Sequence, residues 1–172
     1  AGYFEVGRPV DSELEVPLLE QLLAREGRYP VVYCPEVKGS KLPLVANLFG
    51  SWELHGVSLD VDPSRWNERD MFWEVRERME NPIPPVSVAA SQAPVKEVII
   101  KGEDVDLGML PITHHAIPSA GKYITPGCMI ATDPDTGLVN AGVYRHQVQG
   151  KNLLGAMVNP AHDASPIAFR YS

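Results

Sequence analysis

The residues best suited to chemistry lie in one short stretch, Asn140-Ala-Gly-Val-Tyr-Arg145, with His162 seventeen residues beyond it. An asparagine amide offers a neutral oxygen donor, an arginine a rigid fork for phosphate or carboxylate, and a histidine a nitrogen donor or proton carrier. Together they would hold an anion between a metal ion and a guanidinium. Alternation along a strand sorts them: Asn140, Gly142, Tyr144 and His146 share one face, Val143 and Arg145 the other. Asn140 and Arg145 then meet one ligand only if the strand bulges or bends, or if the ligand wraps its end, and Gly142 offers such a bend or a close backbone approach. Each residue also has a plain structural reading. Asn140 can be a turn exit after Gly137, Arg145 a solvated strand arginine, and His162 a loop histidine after Asn159-Pro-Ala161.

Other motifs carry less. His114 and His115 are adjacent and so point apart, in a loop made irregular by Pro111 and Pro118. Gly121-Lys-Tyr-Ile-Thr125 is too short for a phosphate loop and lacks its Gly-x-Lys-Ser/Thr pattern. Glu74 and Glu77 alternate with Arg76 and Arg78 as on a solvated helix face. No Ser/His/Asp or Cys/His nucleophile signature stands out.

The elements that must position the site follow from periodicity and punctuation. Residues 11–27 read as a helix capped by Asp11 or Ser12, with Pro17 in its first turn. Its apolar stripe is Leu14, Leu18, Leu19, Leu22 and Leu23, and Gly27 ends it. Residues 31–34 and 44–49 read as short strands, and Asp62-Pro-Ser-Arg65 opens a second helix carried by Trp66, Met71, Phe72, Val75 and Met79. Asn81-Pro-Ile-Pro-Pro85 suits neither helix nor interior strand, so it separates an N-terminal α/β region, residues 1–85, from a second domain, residues 86–172. There, residues 95–101, 123–132, 138–149 and 152–158 read as strands. The last three are joined by the hairpin turns Asp133-Pro-Asp-Thr-Gly137 and Gly150-Lys151. The expected class is α+β, with a small antiparallel barrel or sheet in the second part.

A chain of 172 residues suffices for one domain, or one and a piece of another. Its net charge of −7 argues against general binding to nucleic acid or anionic membranes, so an anionic ligand must find its positive charge locally. No run reaches the ~20 apolar residues of a membrane span, and no basic-then-apolar leader opens the sequence, so the expected location is the cytoplasm. Cys34 and Cys128 lie in apolar runs without metal spacing and are expected to be buried, reduced thiols.

The stretch from Leu110 to His162 resembles the UbiD family of reversible decarboxylases. The matching pieces are Leu110-Pro111, Gly121-Lys-Tyr-Ile124, Asp133-Pro-Asp-Thr-Gly137, Asn140-x-x-x-Tyr-Arg145, Gly155 and His162. Upstream, residues 2–9, Val37-Lys-Gly39 and Asn47-Leu-Phe-Gly-Ser51 resemble that family's N-terminal region. The resemblance implies a split β-barrel of flavin-reductase type that binds prenylated FMN. It also implies a divalent metal, usually Mn2+, and a K+ ion near the flavin phosphate. Asn140 and His162 match the metal ligands, and Ala141 matches a backbone carbonyl for K+. Gly142, Val143 and Tyr144 match positions that line the cofactor, and Arg145 matches the catalytic arginine facing the flavin and the substrate carboxylate. A flavin of that size would bridge the two strand faces.

The implied reaction is the reversible decarboxylation of an aromatic or α,β-unsaturated carboxylic acid, with a flavin prenyltransferase as supplier of the cofactor. Family members run to several hundred residues. The resemblance therefore implies the N-terminal and flavin-binding part, with an incomplete barrel. The acidic third metal ligand and the catalytic glutamates would lie beyond it, and Ala161 stands where some relatives carry glutamine. The expected assembly is a homo-oligomer or a complex with the remainder of the enzyme. Two rival readings are a non-catalytic FMN-binding or assembly module derived from the family, and an ordinary FMN oxidoreductase on a split barrel.

Overall fold

The computed structural model describes residues 2–171 and divides into two compact units, each drawn from several stretches of chain. The first comprises residues 1–9, 19–36 and 43–105, the second residues 10–18, 37–42 and 106–172.

The first unit is built on a three-stranded sheet of β1 (Tyr3–Glu5), β2 (Val31–Cys34) and β3 (Leu44–Ala46), with β2 central. β1 runs parallel to β2, and β3 antiparallel. On β2 every second residue is buried, and Val32 and Cys34 are sealed completely. Helix α1 (Glu15–Arg25), whose residues up to Leu18 belong to the second unit, stops where Gly27 turns left-handed at φ +69°, so the Arg28 N–H reaches back to the Leu23 carbonyl. Its buried residues are Val16, Pro17 and Leu23, whereas Leu18 and Leu22 of the expected leucine stripe are exposed.

The expected second helix proves to be two elements. Asp62 caps only a short 3-10 turn, Pro63–Arg65, and a new helix starts after Asn67, whose side chain accepts from the Asp70 N–H. This helix, α3 (Glu68–Glu80), follows the short α2 (Trp52–Ser58) and buries Met71 alone. Glu74 is gripped by Arg65 at 3.1 Å and Arg78 at 2.8 Å rather than facing solvent freely.

Residues 95–101 do not form the expected strand: Pro94–Lys96 is a 3-10 turn, and Val98 and Ile99 are exposed. The apolar run has no partner strand beside it, and pairing is what makes such a run a strand. The second unit does hold the expected hairpins. β4 (Tyr123–Thr132), β5 (Val139–Val148) and β6 (Leu154–Ala156) form an antiparallel meander in sequence order, an open three-stranded sheet and not a closed barrel. A further helix, α4 (Ala164–Arg170), absent from the sequence expectation, packs on β4 and β5. Cys128, on β4, is exposed, contrary to expectation, while Cys34 is buried; neither is in a disulfide.

Candidate functional site

β5 carries the site and keeps unbroken register with β4 from Val139 to Tyr144. Asn140, Gly142, Tyr144 and His146 occupy its more buried face, and Val143 and Arg145 its exposed face, as alternation requires. The expected bend at Gly142 does not occur. Gly142 answers instead to Tyr144: a Cβ there would lie 2.6 Å from that ring. The irregularity falls on β4, where Ile124 pairs with His146 and Gly127 with Tyr144, so Thr125 and Pro126 together oppose Arg145. Pro126 has no N–H to give the ladder, and a bulge is where a strand tolerates that loss.

On the buried face, the Tyr144 ring folds over Gly142 and meets the His162 ring edge-on, with centroids 5.3 Å apart. Asn140 stands two residues before Gly142 on the same face. Its Oδ1 is fully buried and has no hydrogen-bond partner. Such an oxygen costs roughly 1–3 kcal/mol unless something satisfies it, which fits a cation ligand. His162 sits in a tight turn in which its N–H donates to the Asn159 carbonyl at 2.9 Å. The Asn159 N–H in turn donates to His162 Nδ1 at 3.0 Å. With Nδ1 accepting, the neutral ring carries its proton on Nε2, so it serves a cation only after the ring turns or the Asn159 bond yields. Among the described residues no group of three or more His, Cys, Asp or Glu could hold a metal.

On the opposite face, Arg145 Nη2 donates to Met157 Sδ at 2.7 Å. Arg145, Tyr123, Gln147, Gln149 and Met157 border a cavity of about 330 Å³. A thioether is a weak acceptor, so the guanidinium retains most of its capacity for an oxyanion. Ala141 and Val143 are exposed on this same face, and Ala141 pairs with Ile130 of β4. The structure therefore groups Asn140, Gly142, Tyr144 and His162 on one face and leaves Arg145 on the other.

The histidine pair is structural. His114 Nδ1 lies 3.1 Å from Glu13 Oε2, and His115 Nε2 3.0 Å from Thr113 Oγ1. Lys122 Nζ completes the first group at 2.8 Å from Glu13 Oε1, and its hydrogen bond, more than that of His114, holds the Glu13 carboxyl below the usual range.

The sequence reading missed two features. Met157 beside Arg145 carried no signal. The other is the bond from Arg170 to Asp133, whose only trace in the sequence was an acidic turn residue and a distant arginine.

Comparison with known proteins identifies the family to which this chain and its fold belong. Residues 86–171 match the family model described as the 3-octaprenyl-4-hydroxybenzoate carboxy-lyase Rift-related domain, and residues 3–69 match the N-terminal domain of the same enzyme. The chain belongs to the UbiD family. It is 30% identical over 165 residues to phenolic acid decarboxylase of Sedimentibacter hydroxybenzoicus, covering 92% of this chain and 34% of that one. Among solved structures, vanillic acid decarboxylase of the same organism, in closed form, superposes with a TM-score of 0.88 at 28% identity, over 98% of this chain and 36% of that one. An evolved dimeric form of the UbiD-class enzyme HmfF from Pelotomaculum thermopropionicum, in complex with prFMN, superposes at 0.81 with 34% identity, over 93% of this chain and 36% of that one. The chain spans about a third of the length of these relatives.

Proposed function

We propose that this chain is the N-terminal and flavin-binding part of a prenylated-FMN-dependent decarboxylase acting on an aromatic or α,β-unsaturated carboxylic acid. The observation that carries the reading is the two-faced β5 strand. It presents an unsatisfied buried amide oxygen on one side and an arginine without a carboxylate partner among the described residues on the other. A ligand with both a phosphate and a large ring system suits that division, and the HmfF structure holding prFMN supports it. In this reading the open meander is part of a split barrel, and residues 86–172 are the cofactor-binding domain.

Asn140 Oδ1 and His162 would hold a divalent cation, Mn2+ by preference, against the flavin phosphate; neutral oxygen and nitrogen donors leave the ion's charge available to that anion. The Ala141 carbonyl would serve K+. Gly142, Val143 and Tyr144 line the cofactor, and the buried Tyr144 ring fixes the approach to His162. Arg145 grips the substrate carboxylate through its planar fork and aligns the bond to be broken. When bound, the modified flavin supplies the electron sink for loss of CO2. The protein would draw its cofactor from a flavin prenyltransferase and assemble as an oligomer or with the remainder of a family chain.

Co-expression with a flavin prenyltransferase tests the reading. The purified protein should carry the mass and absorbance of prenylated FMN, and a protein without them would overturn it. Retained cofactor with no CO2 release from cinnamic, benzoic or heteroaromatic acids would favour a non-catalytic binding module. Reduction of ordinary FMN by a nicotinamide would favour an oxidoreductase.

A further inference from the structure

We infer that Arg170 and Asp133 are positioning residues, forming a clasp that sets His162 against the Asn140 face; its consequence for a bound metal rests on the reading above. Asp133 opens the β4–β5 turn and is almost wholly buried. One of its oxygens accepts the N–H groups of Asp135 at 2.9 Å and Thr136 at 3.4 Å, and the other takes Arg170 Nη1. Arg170 Nε reaches Asp135 Oδ2 at 3.2 Å, and the hydroxyl of the next residue, Tyr171, donates to the Thr132 carbonyl at 3.0 Å. The end of α4 is thus tied to the turn by neighbouring side chains on one carboxylate-lined corner.

The other end of α4 begins two residues after His162, whose carbonyl accepts the Ser165 N–H at 2.9 Å. Ala164, Ser165 and Ile167 are buried, so the first turn of the helix is seated, while its exposed end is held by the Arg170 clasp. A helix of 7 residues is a strut of roughly 10 Å at 1.5 Å per residue, and it carries the clasp's position to His162. The same turn leads into β5 and delivers Asn140. The two residues proposed to hold the cation are therefore fixed from one point, the Asp133 carboxylate. His162 has otherwise only the bonds of its own turn and the edge of Tyr144. Groups bonded directly to a metal's ligands typically govern its affinity by about 10–100-fold, and the clasp, which acts through α4, should act in the same direction at the lower end of that range.

The test is Arg170→Gln in the whole chain, first without metal. The His162 ring signals, displaced by the Tyr144 ring in wild-type protein, should move towards those of free histidine, and Mn2+ affinity should fall by up to about tenfold. Arg170→Lys, which keeps the charge but not the fork, should lie between wild type and Gln, and it decides the matter if the Gln variant fails to fold. Val16→Ala, which thins the core of the same unit, should leave the His162 signals in place. Unchanged His162 signals in both Arg170 variants, or an equal change in Val16→Ala, would overturn the clasp. Movement of His162 in a protein that binds no Mn2+ would uphold the clasp and remove the metal reading instead.

Discussion

The inner face of the β4–β5–α4 region and the α2–α3 region bear their surfaces in opposite ways. In the first, Tyr144 and Asp133 are each only 8% exposed, and polar contacts close the structure around them. In the second, Phe72 is 59% and Met79 76% exposed, and with Trp52 and Val75 they border an apolar hollow of about 1230 Å³. The difference separates geometry from coverage. Side chains around Asn140 and His162 are placed by contacts the chain makes with itself, so changing them should alter both stability and ligand binding. The exposed apolar side chains of α3, Phe72 and Met79 among them, are far less enclosed and should tolerate change.

The largest effect is expected where the site meets substrate. In the assembled enzyme, Arg145→Ala should lower decarboxylation by about 100-fold or more while the flavin is retained; wild-type turnover would remove Arg145 from the chemistry. Gly142→Val comes next. Its added bulk collides with the Tyr144 ring, so denaturant unfolding should show a loss of about 1–3 kcal/mol and the ring contact with His162 should disappear from the spectrum.

Asn140→Leu should behave in the opposite sense. Removing an unmet buried oxygen should leave metal-free stability unchanged or raise it by about 1 kcal/mol, and a loss of that size would mean the amide already has a partner.

The Asp133 clasp gives a smaller, pH-dependent effect. Backbone N–H groups, chiefly that of Asp135, and the Arg170 guanidinium hold the Asp133 carboxyl below its ordinary value. Its contribution is therefore complete above the unfolded value of about 4 and is lost as pH falls through the lower folded one. Urea midpoints of wild type and Asp133→Asn should differ at neutral pH and converge in strong acid. The smallest change is on the open surface, where Phe72→Ser should shift stability by no more than about 0.5 kcal/mol.

What was legible in the sequence was local. The β4–β5 hairpin declares itself through period-two alternation and the Asp133-Pro-Asp-Thr-Gly137 turn, and the facing of Asn140 and Arg145 follows from the same count. α4 does not, because Ala-Ser-Pro-Ile-Ala-Phe-Arg is too short to hold a helix by propensity, and its anchor is a bond to a residue 37 positions away. The run at 95–101 misled for the converse reason: its composition suits a strand, but pairing is a tertiary event. On α1 the leucines drew attention, and packing does bury Leu23 of that stripe, but with Val16 and Pro17 in place of Leu18 and Leu22. The residue types of the site could be read directly. Its support, the bulge at Thr125–Pro126 and the Arg170 clasp, is set by contacts between distant segments.

The central claim is that Asn140 and His162 are this chain's half of a cation site. Titration of Mn2+ into wild type and Asn140→Leu, followed by the loss of the free-ion electron paramagnetic resonance signal, tests it most directly. Saturable binding to wild type and none to the variant is the predicted result; equal binding by both, or no binding by wild type, would contradict it.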